Sequence, residues 1–265
     1  MKKYAFTFTG QEQFDAPISK HDFLLRCMPG TYAFQRSYAH KLSLHPHAAL
    51  TETRDAFGNT MYTGAVDKKH TRFSFQASGF VLCSKYLTHE PLDRLYLYPT
   101  QFTRPTESID RLLPQASLSK DPWNRAMQLC RLCHRLITYV PESDATTAAE
   151  ALAQGKGDAK DMSHVLILLC RRSGIAARMV SGLAMGISRA HYWTEVYCGG
   201  VWRGLDPTTG LPIEDGYLKI AHAPDYKFCV LFRGVWREEG RSRSLQMEVQ
   251  VTEHVVTTRN PVPRG

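Results

Sequence analysis

One segment, residues 157–174, constrains the fold of this chain more than any other. Asp158 and Asp161 stand three positions apart at its start, a spacing typical of the N-cap and the third position of a helix. An almost continuous apolar run follows at 165–170 and stops before Gly174. A helix that is apolar on every side must be surrounded by other elements. The segment therefore predicts a helix buried at the centre of a domain.

A Gly199-Gly200 pair separates the strand-like segments 191–198 and 201–206 and predicts a two-residue hairpin turn. In that register His191 and Asp206 become diagonal neighbours on one face of the sheet, within reach of an imidazole–carboxylate hydrogen bond. A bulge or a three-residue loop would place them on opposite faces. The alternative is a solvated histidine and a turn aspartate, because residues 206–210 are also good turn sequence.

The first part of the chain has a different texture. Residues 3–98 carry short runs rich in Tyr, Phe, Thr and Leu, in which apolar and polar positions alternate. This alternation, broken by turn sequences, predicts an antiparallel, β-sandwich-like domain over residues 1–98. Several prolines within residues 99–122 predict a linker. The mixed helix and strand patterns that follow predict an α+β domain over residues 123–265.

Two further helices have recognisable ends. Asp121 and Pro122 combine an N-cap residue with a proline at the first helical position, and they predict a helix that runs to about residue 139. The alanine-rich stretch 146–153 predicts a short helix that Gly155 ends.

Charge and cysteine content bear on the partners and the compartment. Lys and Arg number 33 against 25 Asp and Glu, a net charge of +8 that could indicate a nucleic-acid partner. The basic residues are scattered and no zinc-finger or RNA-binding motif accompanies them, so we interpret them as a solvated surface and expect no nucleic acid. No apolar run reaches the ~18 residues of a membrane helix, so we expect no membrane partner. Seven cysteines at irregular spacings, in a chain that starts without an apolar export segment, predict reduced thiols and a cytoplasmic protein.

Metal binding is considered at two places. Cys130-x-x-Cys133-His134 has the spacing of a zinc half-site or a haem attachment motif, but a tetrahedral zinc site needs a second pair of ligands and none follows at suitable spacing. We interpret these cysteines as core residues. His40, His45 and His47 are interpreted as solvated loop histidines. We therefore expect neither a metal nor a cofactor.

Three ordered motifs resemble the transglutaminase-like superfamily. They are Gly155-Lys-Gly-Asp-Ala-Lys-Asp-Met-Ser-His164, His191-Tyr-Trp-Thr-Glu-Val-Tyr197 and Val201-Trp-Arg-Gly-Leu-Asp206-Pro-Thr-Thr-Gly210. Two upstream motifs, at 24–29 and 55–59, resemble the N-terminal β-region of its bacterial members. The resemblance implies a papain-like α+β core, a peptide or protein substrate, and a Cys-His-Asp triad at Ala159, His191 and Asp206, with Cys expected at the first position. It further implies that Trp193 and Asp158 contact the substrate.

Alanine at position 159 departs from that pattern, because a methyl group cannot attack a carbonyl carbon. Cys170 lies 11 residues further along a buried helix, about 16 Å away at the helical rise. Ser163 lies one turn on, where serine more often bonds its own backbone. Two accounts stay open: a cysteine protease, amidase or acyltransferase whose nucleophile has been replaced, or a natural pseudoenzyme that binds peptides. The other motifs are intact, which favours the first account.

Overall fold

The chain folds into an α+β structure with two antiparallel sheets, here described from a computed structural model that covers residues 1–237 and 240–254. The last eleven residues of the domain predicted over 123–265 lie outside this range. The larger sheet has seven strands. Its strands are β1 (Lys2–Leu25), β2 (Gln35–His45), β3 (Thr51–Arg54), β4 (Thr60–Val66), β5 (His70–Cys83), β13 (Phe232–Arg237) and β14 (Ser242–Glu253).

The first strand organises the whole of this sheet. Alternate residues of β1 such as Tyr4, Phe6 and Phe8 are buried, as period-two patterning requires for a strand with one covered face. Its first half pairs with β5 on one side and β14 on the other, and its second half pairs with β4 and β13. The antiparallel β architecture predicted for the N-terminal region is confirmed.

The smaller sheet lies against the central helix. In order across the sheet its strands are β11 (Leu211–Pro212), β10 (Val201–Asp206), β9 (His191–Cys198), β8 (Ala177–Ala184) and β12 (Tyr217–Ala223). A short parallel pair, β6 (Thr138–Tyr139) and β7 (Lys156–Gly157), leads into the helix.

Within the described residues, four α-helices accompany these sheets. They are α1 (Glu107–Gln115), α2 (Pro122–Leu136), α3 (Ala148–Gln154) and α4 (Ala159–Arg172). Almost every residue of α4 is buried, so the central helix predicted from the apolar run is confirmed. No helix in the described part of the chain is long and apolar enough to cross a membrane.

The helix starts follow their predicted signals, whereas α2 ends at Leu136 and not at about residue 139, because residues 138 and 139 pair with β7. The Asp121 carboxylate accepts a hydrogen bond from the N–H of Asn124 with Pro122 in the first turn, so α2 begins where the sequence predicts. Thr147 and Glu150 form a capping box at the start of α3. Gly155 ends α3 in the left-handed conformation, with φ of 64°, that glycine adopts at little cost.

Two parts of the chain differ from the predicted organisation. Strands β13 and β14 fall within the segment expected to belong to the second domain, yet they pair with β1 in the larger sheet. Helix α1 lies within the segment expected to be a linker. The sequence pattern indicates that a segment forms a strand, but it does not indicate which sheet that strand joins. The sheet is decided by the strand edge that β13 and β14 meet when the chain returns to β1. The predicted boundaries therefore do not follow sheet membership.

Strand β12 joins the N-terminal region to the core. The amide of Gln35 donates to the carbonyl of Lys219 and accepts from its N–H, at 2.8 Å each. Asn59 makes the equivalent pair of bonds with the backbone of His222 at 2.8 and 2.9 Å. Because these amides are buried and fully paired, they fix the position of β12 against the larger sheet.

Candidate active site

The first turn of α4 is held by a reciprocal cap. Asp158 accepts from the N–H of Asp161 at 2.9 Å, and the Asp161 carboxylate accepts from the N–H of Asp158 at 3.1 Å. Lys160 lies 3.4 Å from Asp161 and 3.7 Å from Asp158. Ala159 is the first helical residue and only 6% exposed. The cap therefore presents position 159 at the positive end of a buried helix, a place that stabilises an anion.

Neither side chain considered as a replacement nucleophile is available. The Ser163 hydroxyl donates to the carbonyl of Ala159 at 2.7 Å, the backbone bond predicted for it. Cys170 is fully buried, and burial, followed by the neighbouring Cys130 and Cys198 thiols, raises the pKa of its thiol well above the ordinary value. A buried thiol with a raised pKa is inert as a nucleophile.

The predicted hairpin sets the geometry of the polar pair. Cys198 pairs with Val201 across Gly199 and Gly200, both with positive φ, and the register continues as far as Thr194 opposite Leu205. His191 Nε2 lies 2.8 Å from Asp206 Oδ2, with both side chains buried. The hydrogen bond predicted from the sequence is present. It occupies Nε2, which leaves Nδ1 as the nitrogen for proton transfer.

Three residues in the described part of the chain donate to the Asp206 carboxylate. Besides His191, the Tyr217 hydroxyl donates to Oδ2 at 2.8 Å, and the hydroxyl and N–H of Thr208 donate to Oδ1 at 2.7 and 2.8 Å. Burial raises the pKa of this carboxyl, but the hydrogen bonds from His191, Thr208 and Tyr217 outweigh burial and hold the pKa below its usual range. Asp206 is therefore an anion that fixes the orientation of the imidazole.

The helix start and the histidine lie at the same end of the core. Thr194 Oγ1 donates to the carbonyl of Ser163 at 3.4 Å, which joins β9 to α4. At the other end of both elements Cys198 neighbours Cys170. Strand β9 thus runs parallel to α4, and His191 and Ala159 are the first residues of the two elements. The structure brings all three predicted triad positions to this end of the core.

The two side chains predicted to contact substrate are placed differently from each other. Trp193 is fully buried; its indole N–H donates to the Tyr86 hydroxyl at 2.8 Å and its ring lies 6.2 Å from the His191 ring. Trp193 stands two residues after His191 on β9, so the two side chains lie on the same face of the sheet. In this structure the indole packs behind the imidazole, and because it is fully buried it offers no surface to a substrate. Asp158 caps the helix and is a quarter exposed, so its predicted contact stays a prediction.

A buried ionic cluster, which sequence reasoning missed, lies beyond Trp193. Glu195 accepts from the Tyr86 hydroxyl at 2.7 Å, from Arg178 Nε at 2.6 Å and from Lys219 Nζ at 2.8 Å. Burial raises the pKa of Glu195, but Arg178 and Lys219 outweigh it and hold the pKa well below its usual range. Glu195 lies on the same face of β9 as His191 and Trp193. The alternation of side chains along this strand was therefore the sequence signal that Glu195 is buried beside them. Tyr217 had no such local signal.

The residues weighed as metal ligands have other partners. The Cys130 thiol donates to the carbonyl of Asp206 at 3.5 Å, and the Cys133 thiol donates to that of Met162 at 3.3 Å. His134 Nδ1 lies 3.3 Å from the carbonyl of Pro207. Within the described ranges, no group of three or more His, Cys, Asp or Glu residues could hold a metal ion.

The buried helix, with its first turn at the same end as a His–Asp pair on an antiparallel strand, defines a papain-like α+β core. Residues 112–207 match the family model of the Transglutaminase-like superfamily, and residues 4–82 match that of the Bacterial transglutaminase-like N-terminal region. The chain therefore combines a transglutaminase-like core with this N-terminal region.

The chain is also similar to individual proteins. A structure from Cytophaga hutchinsonii, described as a "putative cysteine protease", has a TM-score of 0.77 at 18% identity and covers 97% of this chain and 93% of its own. That likeness shows the fold. An uncharacterized protein of Mycobacterium leprae is 24% identical over 59% of this chain, which spans 60% of the relative's length. An uncharacterized protein of Mycobacterium tuberculosis is 26% identical, with 82% of each chain covered.

Proposed function

We propose that this chain has the active-site arrangement of a cysteine enzyme that transfers acyl groups from peptide or amide bonds, with Ala159 at the position of the nucleophile. As it stands, the chain binds its substrate without cleaving it. The observation that carries the proposal is the 2.8 Å bond between His191 and Asp206, at the same end of the core as the start of α4.

The chemistry becomes complete when a thiol replaces the methyl group of Ala159. His191 would take the proton of the thiol, and the helix N-terminus would stabilise the resulting thiolate, which attacks the carbonyl carbon of the amide. The first-turn N–H of residue 159 is the natural donor to the oxyanion that forms on the carbonyl oxygen. His191 then gives a proton to the departing amine as the C–N bond breaks and a thioester remains.

The second half of the reaction regenerates the thiol. Water or a second amine attacks the thioester, and His191 takes the proton from this nucleophile. With water the product is a carboxylic acid, as in a protease or an amidase. With an amine the product is a new amide, as in a transglutaminase. Asp206 keeps the same imidazole tautomer throughout, and the proposed mechanism requires no metal or cofactor.

The test is the reactivity of a thiol placed at position 159. Ala159→Cys should react with iodoacetamide near pH 6, far below the ordinary thiol pKa of about 8.5, because the thiolate is stabilised by His191. The matched control is the double variant Ala159→Cys, His191→Ala, which should react only as an ordinary thiol. All seven native cysteines are buried, and peptide mass spectrometry at position 159 separates them from the new thiol.

An ordinary thiol titration that does not respond to His191 would contradict the enzyme proposal. That outcome would favour the alternative, a natural pseudoenzyme that binds peptides. If the thiol is activated, product analysis with a peptide amide, in the presence and absence of a primary amine, decides between hydrolysis and transamidation.

A further inference from the structure

A groove of about 550 Å³ lies along β10, at the edge of the core sheet. It is lined on one side by residues of the connection after β5 and on the other by residues of α2, β10 and the segment after β11. The lining includes Lys85, Tyr86, Trp123, Arg203, Gly204 and Glu214. None of them belongs to the candidate triad.

Arg203 is the chemically unusual member of this groove. Its guanidinium stacks on the indole of Trp123, 4.9 Å from the ring centroid. The Nε–H of Arg203 is buried and has no hydrogen-bond acceptor among the residues that the structure describes. A planar guanidinium held by an aromatic ring is oriented for recognition of a carboxylate by paired hydrogen bonds.

The other charges of the groove are compatible with an anionic ligand. Lys85 is exposed at the rim and adds a second positive charge. Of the two carboxylates in the lining, Asp215 is paired with Lys2 at 3.0 Å. Glu214 is the remaining negative charge and opposes an acidic ligand. Its removal therefore has a predicted effect of the opposite sign to the removal of Arg203.

The groove is close to the candidate active site along the same strand. Gly204 lies two residues before Asp206 on β10, about 7 Å at the rise of a strand. A Cβ atom at position 204 would lie within about 3.0 Å of Tyr86 and Ile213. The absence of a side chain at Gly204 therefore leaves this part of the groove open. Tyr86 also touches Trp193, which packs behind His191. An extended peptide advances about 3.3 Å per residue, so the separation between these two positions of β10 corresponds to two or three peptide residues.

We propose that this groove binds an acidic side chain of a peptide, two or three residues from the bond placed at the triad, and that Arg203 pairs with its carboxylate. Arg203 is thus a specificity-determining residue. The placement relative to the reacting bond rests on the proposed function; binding of the acidic peptide does not.

The test measures binding to the chain as it stands, with Ala159 in place. Three probes are titrated by calorimetry: acetyl-Ala-Ala-Glu-Ala-Ala-amide, its Gln isostere, and the Gln peptide with a free C-terminal carboxylate. The Glu peptide should bind roughly tenfold tighter than the Gln peptide amide, the value of one charge-assisted hydrogen-bonded pair. Arg203→Gln should remove this difference, Arg203→Lys should keep part of it, and Glu214→Gln should strengthen binding of the Glu peptide.

Arg203→Gln could lose binding simply because the variant misfolds. Lys85→Gln serves as a second variant, because Lys85 is exposed and its replacement should leave the fold intact. It should weaken the Glu peptide only. Equal or absent binding of the Glu and Gln peptides would overturn the proposal, as would a Glu preference that survives Arg203→Gln. Tighter binding of the peptide with a free C-terminal carboxylate would overturn the assignment to an acidic side chain. Since no thiol is involved, the failure of Ala159→Cys to react would leave these results unchanged.

Discussion

The Tyr217 hydroxyl donates to Asp206 Oδ2 at 2.8 Å, the same atom that binds His191. The tyrosine reaches this oxygen from β12, the strand that the N-terminal region holds in place through Gln35 and Asn59. The anionic state of Asp206 thus depends on the far edge of the core sheet as well as on its own hairpin. The larger sheet therefore contributes to the site although it supplies none of the triad positions.

Tyr217→Phe should raise the pKa of Asp206, because one of the donors that stabilise its anion is removed. A carboxyl whose folded pKa is depressed contributes stability above its unfolded pKa of about 3.9 and loses that contribution as pH falls through the folded pKa. In the variant this loss should begin at a higher pH, as expected for the loss of one of the hydrogen bonds that stabilise the anion. Carbon-13 NMR of the Asp206 carboxyl measures the shift. Tyr197→Phe is the control, and an unchanged Asp206 titration in Tyr217→Phe would contradict the assigned role.

Glu195→Gln should destabilise the fold by about 3–5 kcal/mol, because Arg178 and Lys219 would then lack their shared buried anion. Urea unfolding followed by tryptophan fluorescence gives the free energy of unfolding. The matched control is Glu248→Gln on the exposed surface of β14, which should change stability by less than about 0.5 kcal/mol. Similar values for the two variants would show that the ionic cluster contributes little.

Gly182→Ala should destabilise the core by about 1–3 kcal/mol, because the added Cβ would lie 2.5 Å from the Trp193 ring and also collide with the backbone of Leu218. The indole should move, so its N–H resonance in NMR spectra should shift. Gly58→Ala tests backbone strain alone, since Gly58 has φ of +80° and open space around it. A Trp193 resonance that stays in place in Gly182→Ala would contradict this account.

Protonation of His21 should weaken the fold in mild acid. Burial, followed by the charge of His70, lowers the pKa of His21 to about 4. In the unfolded chain His21 is protonated below about pH 6.5, whereas in the folded chain it is protonated only below about pH 4. The free energy of unfolding should therefore fall as the pH drops from about 6.5 to about 4, by ~3 kcal/mol in all.

His21→Leu should reduce the steepness of that fall, whatever its effect on stability at neutral pH. The exposed His47→Ala variant should leave the slope unchanged. Urea midpoints measured at intervals between pH 7 and pH 4 provide the comparison. Equal slopes for His21→Leu and the parent chain would assign the acid sensitivity to other groups.

The sequence by itself determined the local structures on which the site is built. The Asp158/Asp161 spacing defined the start of α4, Gly199-Gly200 defined the hairpin register, and that register placed His191 against Asp206. These relations join residues close in the chain, where turn chemistry, capping and strand period leave few alternatives.

Only the tertiary structure decided which distant segments meet. It paired β13 and β14 with β1, placed Tyr217 against Asp206, buried Trp193 behind the imidazole and stacked Arg203 on Trp123. The physical reason is that local patterns specify which face of an element is apolar. They do not specify which edge or face, tens or hundreds of residues away, will cover it, because that choice is made by the packing of the whole chain.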